Sequence, residues 1–320
     1  MNILYIFPRH LYESKMSIGR VLYGEALQAT HGINLHWFGL GWPGYDWDCS
    51  LRQNIESLDF KPDALICYKA HQAGGPYTGD LPSLVIFNEA NDIAQVKTEV
   101  TAANATIVGF HHSSDIARCE SVLRTRNSFH LPHCALKDPL ASRPIADRPI
   151  DCLVTGVLSP EIYPLRCRMA SMMKSGNLRG KIRKHPGYRL QGHAAIRQQF
   201  EEYRSDLRNS KIVLACSSKY QYPLAKFQEA AMAGCVLVCD EPADKWFRDA
   251  YGDAPIWIKS TWSDDTIATK IQRALLDPKD LQQRATQMRL VAEQSFTLER
   301  YAERLKLELY KSAGIPLGCS

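Results

Sequence analysis

Between Ser217 and Glu229 the sequence places hydroxyls, a cation and a carboxylate around the start of a predicted helix. The loop 217–221 supplies two serine hydroxyls and Lys219, and the helix N-terminus supplies unpaired backbone N–H groups with partial positive charge. This combination suits a phosphate. Glu229 lies two turns into the helix among Ala, Phe and Met side chains, where a carboxylate must be solvated or accept hydrogen bonds from a ligand. A ribose diol offers two such hydroxyl donors.

The elements that would position these groups are a strand, a loop, a helix and a second strand. The runs Ile212–Cys216 and Cys235–Cys239 are short and apolar with β-branched residues, as buried parallel strands are. Pro223 fits the first turn of a helix because the N–H that it lacks is not needed there. The segment Ala225–Ala233 supplies helix-forming residues before Gly234 ends the helix. Such a unit places the helix N-terminus at the carboxyl edge of a sheet.

Apolar runs alternate with helical stretches over the rest of the sequence. The predicted strands include Met1–Phe7, Ile33–Gly39, Ala64–Tyr68, Leu84–Phe87, Ile107–Phe110, Asp151–Gly156, Lys181–Lys184 and Ala254–Ile258. This alternation predicts an α/β fold with parallel, doubly wound sheets. A proline-rich stretch without periodicity at 133–150 predicts a linker between an N-terminal domain, 1–132, and a C-terminal domain, 151–295.

One stretch of this second domain carries a family resemblance. The pattern Lys226-x-x-Glu229-x-x-x-Ala233-Gly234-Cys235 resembles the nucleotide-sugar motif of the GT-B glycosyltransferases, and within them the CgeB-like and group 1 enzymes. The larger retaining families carry two glutamates eight positions apart, the second of them on the ribose. Here Glu229 matches the second, whereas Gln221 stands in place of the first. An amide can donate and accept hydrogen bonds but carries no charge.

The resemblance implies two Rossmann-like domains facing a cleft, with the C-terminal helix, 296–320, packed back on the N-terminal acceptor domain. In the resembling families a basic residue after the first strand of the second domain contacts the diphosphate, and Arg166 is the matching position. Its guanidinium can take two phosphate oxygens at once. Arg166 and Lys226 are therefore the candidates for stabilising a leaving diphosphate without a metal. The candidate donor-binding residues are Gly156, Tyr188, Ser217, Ser218, Gln221, Tyr222, Pro223, Leu224 and Glu229.

The acceptor would bind to the first domain, at the carboxyl ends of its strands. The polar residues that follow these strands are Arg9, His10, Lys69, His71, Asn88, Glu89, Asp92, His111 and His112. If the reaction inverts the anomeric carbon, a base must take the acceptor proton, and Glu89 or Asp92 is best placed. If it retains the configuration, as the resemblance favours, the departing phosphate oxygen can take that proton.

The composition is that of a globular enzyme. Hydrophobic residues make up 45% of the chain and charged residues 23%. No apolar run approaches the roughly 18 residues that a membrane helix needs, and the sequence opens on an apolar strand, so we expect a soluble, cytoplasmic protein. The ten cysteines form no C-x-x-C pair, which indicates reduced thiols. The pair Asp46-x-Asp48 is interpreted as solvated loop acids, and the absence of a Gly-x-Gly-x-x-Gly fingerprint disfavours a dinucleotide oxidoreductase.

The net charge of +5 is shared unevenly, which leaves more than one partner open. Residues 1–150 hold 13 Lys and Arg against 15 Asp and Glu, and residues 151–320 hold 26 against 19. A diphosphate site explains this surplus, and a nucleic-acid-binding face also would. The leading hypothesis is a glycosyltransferase that uses a UDP- or GDP-sugar and a glycan, lipid or small-molecule acceptor. The alternatives are a glycosyltransferase acting on a hydroxylated DNA base, and a noncatalytic nucleotide-sugar-binding module.

Two further questions stay open in the sequence. The segment around Glu229 is also compatible with an ordinary βαβ unit of another doubly wound domain, in which this carboxylate is merely solvated. The sequence does not indicate which nucleotide, which sugar or which oligomeric state applies.

Overall fold

Short apolar strands separated by helices build two parallel sheets. A computed structural model of the chain describes residues 1–14, 18–70, 76–124, 126–138, 143–185 and 193–316. The chain forms two units: unit 1 comprises Met1–Pro132 and Leu298–Ser320, and unit 2 comprises His133–Thr297. The stretch 133–150, predicted to be a linker, belongs to unit 2, where Ile145 and Arg148 are buried.

The sheet of unit 1 has six parallel strands. They are β1 (Asn2–Ile6), β2 (Asn34–Phe38), β3 (Ala64–Cys67), β4 (Ser83–Phe87), β5 (Ile107–Phe110) and β6 (Asn127–His130), in the order β2-β1-β3-β4-β5-β6. The helices before unit 2 are α1 (Arg9–Ser14), α2 (Ile18–Gln28), α3 (Leu51–Glu56), α4 (Ile93–Ala102), α5 (Ser114–Arg118) and α6 (Glu120–Leu123). Strands β3 and β4 are buried throughout, as expected of a sheet covered on both faces.

The sheet of unit 2 has five parallel strands. They are β7 (Ile150–Gly156), β8 (Gly180–Lys184), β9 (Ser210–Leu214), β10 (Val236–Asp240) and β11 (Ile256–Ile258), in the order β11-β10-β9-β7-β8. Its helices are α7 (Pro164–Lys174), α8 (His193–Arg208), α9 (Ala225–Met232), α10 (Lys245–Tyr251), α11 (Asp264–Leu275) and α12 (Pro278–Ser295). Two apolar clusters, one on either side, take alternate strand residues such as Leu153 and Val154. This sheet is therefore doubly wound.

Both units share one strand order. Counted from its own first strand, each sheet begins 2-1-3-4-5, and unit 1 adds a sixth strand at its edge. In such sheets the connections leave in opposite directions from the first and third strands, and the crevice at their carboxyl ends is where ligands bind. These positions are the ends of β1 and β3 in unit 1, and the ends of β7 and β9 in unit 2. The predicted α/β class with two Rossmann-like domains is confirmed.

Several element boundaries differ from the sequence prediction. Helix α9 begins at Ala225 with Leu224 as its N-cap, so Pro223 precedes the helix and does not lie in its first turn. Leu224 has extended backbone angles, and the helix cannot begin before it. Strand β6 and helix α4 were not predicted, because the first is polar and lies at the sheet edge and the second is mostly exposed.

The last helix returns to unit 1. Helix α13 (Leu298–Ser312) packs against α2, and the rings of Tyr301 and Tyr23 stack with their centroids 4.2 Å apart. Lys306 and Tyr310 of the same helix donate hydrogen bonds to the carbonyls of His31 and Gly32, at 2.9 and 3.0 Å. Among the described residues, no helix is both long enough and apolar enough to cross a bilayer.

Candidate nucleotide-binding site

The turn after β7 brings two cations together. Gly156 ends this strand with φ +100°, a left-handed conformation that favours glycine. A Cβ atom built on Gly156 would lie 2.8 Å from Cε of Lys226 and 2.9 Å from Nη1 of Arg166. A side chain at this position would displace both of them. The predicted residues Gly156, Arg166 and Lys226 therefore meet at the carboxyl edge of the second sheet.

Arg166 is held rigidly although part of its guanidinium has no partner. It is the third residue of α7 and is 2% exposed, with its guanidinium carbon 3.9 Å from the ring centroid of Tyr163. Its Nη1 donates to the carbonyl oxygen of Val157 at 3.0 Å. Its Nε is buried and makes no hydrogen bond to the described residues. Leaving a buried charged donor unpaired costs about 1–3 kcal/mol or more, so this geometry points to a ligand that completes the site.

Lys226 lies next to this guanidinium without a counter-charge in contact. It is half-buried, and its Nζ lies 4.9 Å from the ring centroid of Tyr203. Among the described residues it forms no ion pair. Burial and the neighbouring Arg166 lower its pKa, and Glu229 opposes the shift. The pKa of His185, which follows β8, is lowered by burial, then by Lys226 and Arg166. The site is thus electropositive.

Glu229 lies one helical turn after Lys226 and is not simply solvated. It is half-buried, and its Oε2 accepts a hydrogen bond of 2.6 Å from the hydroxyl of Tyr203 on α8. Burial, followed by the charge of Glu229, raises the pKa of Tyr203 well above its usual value, so this hydroxyl stays a donor at neutral pH. Tyr203 was not predicted as a site residue, because it lies 26 residues before its partner, on a different helix.

The loop between β9 and α9 is fixed by its own hydrogen bonds. The backbone N and the hydroxyl of Ser217 donate to Oδ1 and Oδ2 of Asp240, at 2.8 and 2.6 Å. Oγ of Ser218 accepts from the backbone N of Tyr220 at 3.2 Å. Both serine hydroxyls predicted for a phosphate thus have partners within the protein. Ser218 and Gln221 have φ values of +62° and +58°, and non-glycine residues in this region store strain that is common at functional sites.

The other predicted donor-binding residues differ in how far they are exposed. Tyr222, Pro223 and Leu224 are buried, whereas Gln221 is exposed. Tyr188, a predicted donor-binding residue, lies outside the described residues, as does His71, which was predicted to follow a strand of the first domain.

Unit 1 carries a cleft of about 290 Å³ at the carboxyl ends of β3 and β4. Glu89 lines it, is half-buried and makes no hydrogen bond or ion pair with the described residues. Burial, and then the charge of Asp115, raises the pKa of Glu89. Asp92 lines the same cleft but is the N-cap of α4, and its Oδ1 accepts from the backbone N of Gln95 at 3.1 Å. One carboxylate is unpaired, and the other already has a structural role.

Several acceptor candidates have structural partners. Nε of Arg9 pairs with Glu13 at 2.7 Å. His111 and His112 are buried, and burial lowers the pKa of His112 to about 2. Nδ1 of His111 lies 2.9 Å from the carbonyl oxygen of Leu131. The two histidines are core residues of unit 1.

The described residues contain no group of three metal-ligating side chains. The pair Asp46 and Asp48 forms a local turn, in which Oδ1 of Asp46 accepts from the backbone N of Asp48 at 2.9 Å. A metal-independent reaction stays a prediction.

Comparison with known proteins bears on the fold. No protein-family model matches the sequence, and no curated protein matches it. Among solved structures, a sucrose-phosphate synthase from Thermosynechococcus elongatus is similar with a TM-score of 0.63 and 14% identity, covering 97% of this chain and 98% of the other. AviGT4, a glycosyltransferase involved in avilamycin A biosynthesis, has a TM-score of 0.59 and 13% identity, with 98% of each chain covered. Anabaena Alr3699/HepE, crystallised with UDP and glucose, has a TM-score of 0.56 and 11% identity, covering 97% of this chain and 100% of the other.

These structures share one architecture, and at such low identities the likeness shows the fold alone. The chain has the GT-B fold. The narrower resemblance to the CgeB-like enzymes stays a prediction.

Proposed function

We propose that this chain is a glycosyltransferase that moves a sugar from a UDP- or GDP-sugar to an acceptor hydroxyl, without a metal and with retention at the anomeric carbon. The observation that carries the proposal is the convergence of Arg166 and Lys226 on Gly156 at the carboxyl edge of the second sheet. Neither cation has an ion-pair partner among the described residues, and the Nε of Arg166 is buried without a hydrogen bond. A diphosphate supplies the missing negative charge.

The chemical role of these cations follows from the bond that breaks. As the bond between the anomeric carbon and the diphosphate oxygen lengthens, negative charge grows on the diphosphate. Arg166 is buried against Tyr163 and Lys226 is half-buried beside it, so neither cation has to be reorganised during the reaction. Cations fixed in advance where charge develops stabilise the transition state more than the ground state.

Glu229 is proposed to bind the ribose of the donor. Its carboxylate is half-buried one helical turn from Lys226, so the diphosphate and the ribose would contact successive turns of α9. The N-terminus of this helix has no side-chain cap, which leaves backbone N–H groups for the ligand.

The acceptor is proposed to bind in unit 1 near Glu89. In the retaining route, which the resemblance favours, the acceptor proton passes to the departing phosphate oxygen while the new bond to the anomeric carbon forms. Glu89 then binds an acceptor hydroxyl and does not remove its proton. Its unpaired, half-buried carboxylate suits this role better than Asp92, which caps α4.

The structure gives the DNA-modifying alternative no additional support. Several basic residues of unit 2 already pair with carboxylates, since Lys181 and Arg183 bind Asp206 at 2.7 and 2.9 Å, and Arg179 lies 3.4 Å from Asp151. These three cations therefore already have carboxylate partners within unit 2. Binding of the protein to duplex DNA that weakens steeply as the salt concentration rises would support the DNA-modifying alternative. The absence of such binding at low salt would reject it.

A thermal-shift panel of UDP-, GDP-, CMP- and dTDP-sugars tests the proposal. A ligand that binds only the folded protein raises its melting temperature, and we expect a UDP- or GDP-sugar to raise it by about 3 °C at saturation. Release of UDP or GDP on addition of an acceptor then separates an enzyme from a noncatalytic binding module. Binding without turnover over a broad acceptor panel would favour the module, and no binding of any nucleotide sugar would reject the proposal.

A further inference from the structure

The phenol of Tyr203 contacts both Lys226 and Glu229. Its hydroxyl donates to Oε2 of Glu229 at 2.6 Å, and its ring centroid lies 4.9 Å from Nζ of Lys226. We propose that Tyr203 is a positioning residue that fixes the carboxylate of Glu229 for the ribose hydroxyls of the donor and so sets the preference for a ribonucleotide. This inference rests on the proposed function, because it assigns the ribose to Glu229.

The hydrogen bond holds one carboxylate oxygen and leaves the other for a ligand. A glutamate carboxylate can accept about four hydrogen bonds, and Tyr203 uses one of them. Oε1 of Glu229 has no partner among the described residues. The remaining acceptor positions are enough for the two hydroxyls of a ribose.

Without this hydroxyl, Glu229 has a competing partner. Lys226 lies three residues before Glu229 on α9, a spacing at which opposite charges pair on a helix surface. In the structure they do not form an ion pair, since Glu229 is bonded to Tyr203 and Lys226 lies near the face of the same ring. Loss of the phenolic hydroxyl would free the carboxylate to rotate away from the position in which it accepts hydrogen bonds from the ribose hydroxyls.

Pre-organisation gives the hydroxyl a measurable effect on affinity. A free glutamate side chain loses rotational freedom when it binds a ligand, and a fixed one has already lost it. Burial and the charge of Glu229 keep the phenol protonated, because both raise its pKa. The position of the carboxylate is therefore maintained throughout the neutral range.

The test uses a pair of ligands that differ only at the ribose. Dissociation constants of UDP and of 2′,3′-dideoxy-UDP are measured by calorimetry for the wild type, Tyr203→Phe, Glu229→Ala and the double variant. Phenylalanine keeps the ring beside Lys226 and removes only the hydroxyl. We expect Tyr203→Phe to weaken UDP binding about tenfold, which corresponds to about 1.4 kcal/mol, and to change dideoxy-UDP binding less than twofold. In the Glu229→Ala background the second substitution should have no further effect on UDP.

Controls separate positioning from general stability. Tyr310→Phe removes a tyrosine hydroxyl from α13 in unit 1, where it bonds the carbonyl of Gly32, and should leave both affinities unchanged. Equal weakening of UDP and dideoxy-UDP by Tyr203→Phe would show a structural effect and overturn the inference. Unchanged UDP binding would overturn it as well.

The same measurements distinguish this inference from the proposed function. If UDP binds the wild type and Glu229→Ala weakens it while Tyr203→Phe does not, only the role of Tyr203 fails. If neither UDP nor GDP binds the wild type, the proposed function fails and the inference falls with it.

Discussion

The carboxyl edges of the two sheets share one strand order but present different side chains. In unit 2 the edge presents Arg166 and Lys226, both without an ion-pair partner among the described residues. In unit 1 the corresponding edge presents Glu89, which has no such partner, and Asp92, which caps a helix. The shared topology determines where a ligand can bind, and the side chains determine which ligand it is.

The difference suits two tasks of a transfer reaction, binding the donor in one unit and the acceptor in the other. The buried Arg166 and the half-buried Lys226 of unit 2 suit a fixed anion such as a diphosphate. The raised pKa of Glu89 belongs to a carboxylate that water solvates poorly, and such a carboxylate readily accepts a hydrogen bond from a hydroxyl. Substitutions at the two edges should therefore affect different kinetic parameters.

The largest effect is expected from Arg166→Ala. Loss of a pre-organised cation at the leaving group should lower kcat about 100- to 1,000-fold and weaken donor binding less than tenfold. Steady-state kinetics with the donor identified by thermal shift measures both. The matched control is Arg179→Ala in the same unit, whose side chain is 85% exposed and which should leave kcat unchanged. A fully active Arg166→Ala enzyme would remove this residue from the mechanism.

A smaller loss is expected from Lys226→Met, about 10- to 100-fold in kcat. Burial and Arg166 lower the pKa of Lys226, so the ammonium loses its proton at a lower pH than an ordinary lysine. Donor affinity should accordingly fall on the alkaline side, as pH rises through this pKa. In Lys226→Arg this fall in donor affinity should occur at higher pH, since arginine stays charged. Titrations of the donor at increasing pH measure where its affinity falls. Identical pH profiles for the wild type and Lys226→Arg would contradict the role of Lys226 in binding the donor.

At the unit 1 edge, Glu89→Gln should raise KM for the acceptor about 5- to 10-fold and change kcat less than threefold. The amide keeps the shape and removes the charge. A fall of 100-fold in kcat together with loss of the acid limb of the pH profile would instead identify Glu89 as a base in an inverting reaction.

Glu89 also has an effect on stability whose sign is fixed. Its raised pKa means that the folded protein binds this proton more tightly than the unfolded chain does. The corresponding stabilisation is present at low pH and is lost as pH rises through the folded-state pKa. Glutamine cannot ionise, so Glu89→Gln avoids this loss of stability at neutral pH and should raise the melting temperature there by about 2 °C. The difference between the variant and the wild type should be smaller in acid.

The smallest catalytic effect is expected from Asp92. Asp92→Asn keeps an N-cap oxygen for the backbone N of Gln95, so activity should stay within twofold and stability should be unchanged. Asp92→Ala should lower the free energy of unfolding by about 1 kcal/mol, measured by denaturant titration. A large loss of activity in Asp92→Asn with an unchanged melting temperature would restore Asp92 as a base.

Local signals explain why much of the fold could be predicted. The apolar, β-branched run Ile107–Phe110 is a strand with the predicted bounds, and Gly234 ends α9 in a left-handed conformation with φ +66°. The meeting of Gly156 with Lys226 follows from topology as well, because Gly156 ends β7, Lys226 follows β9, and the carboxyl ends of parallel strands share one edge of the sheet.

The remaining features depend on contacts that no local pattern encodes. Tyr203 reaches Glu229 only because α8 lies beside α9, and the sequence gives no register for two helices packed on one sheet. Asp92 is a different case. Gln95 stands three residues after it, a spacing typical of a helix N-terminus, and this signal would have identified the cap of α4.

The return of α13 to unit 1 affects the order in which the chain can fold. Unit 2 is one continuous stretch, His133–Thr297, and all of it is translated before α13. Unit 1 lacks the partner of α2 until the residues around Tyr301 emerge. During synthesis, which runs from the N-terminus, the part that is translated first is therefore completed last.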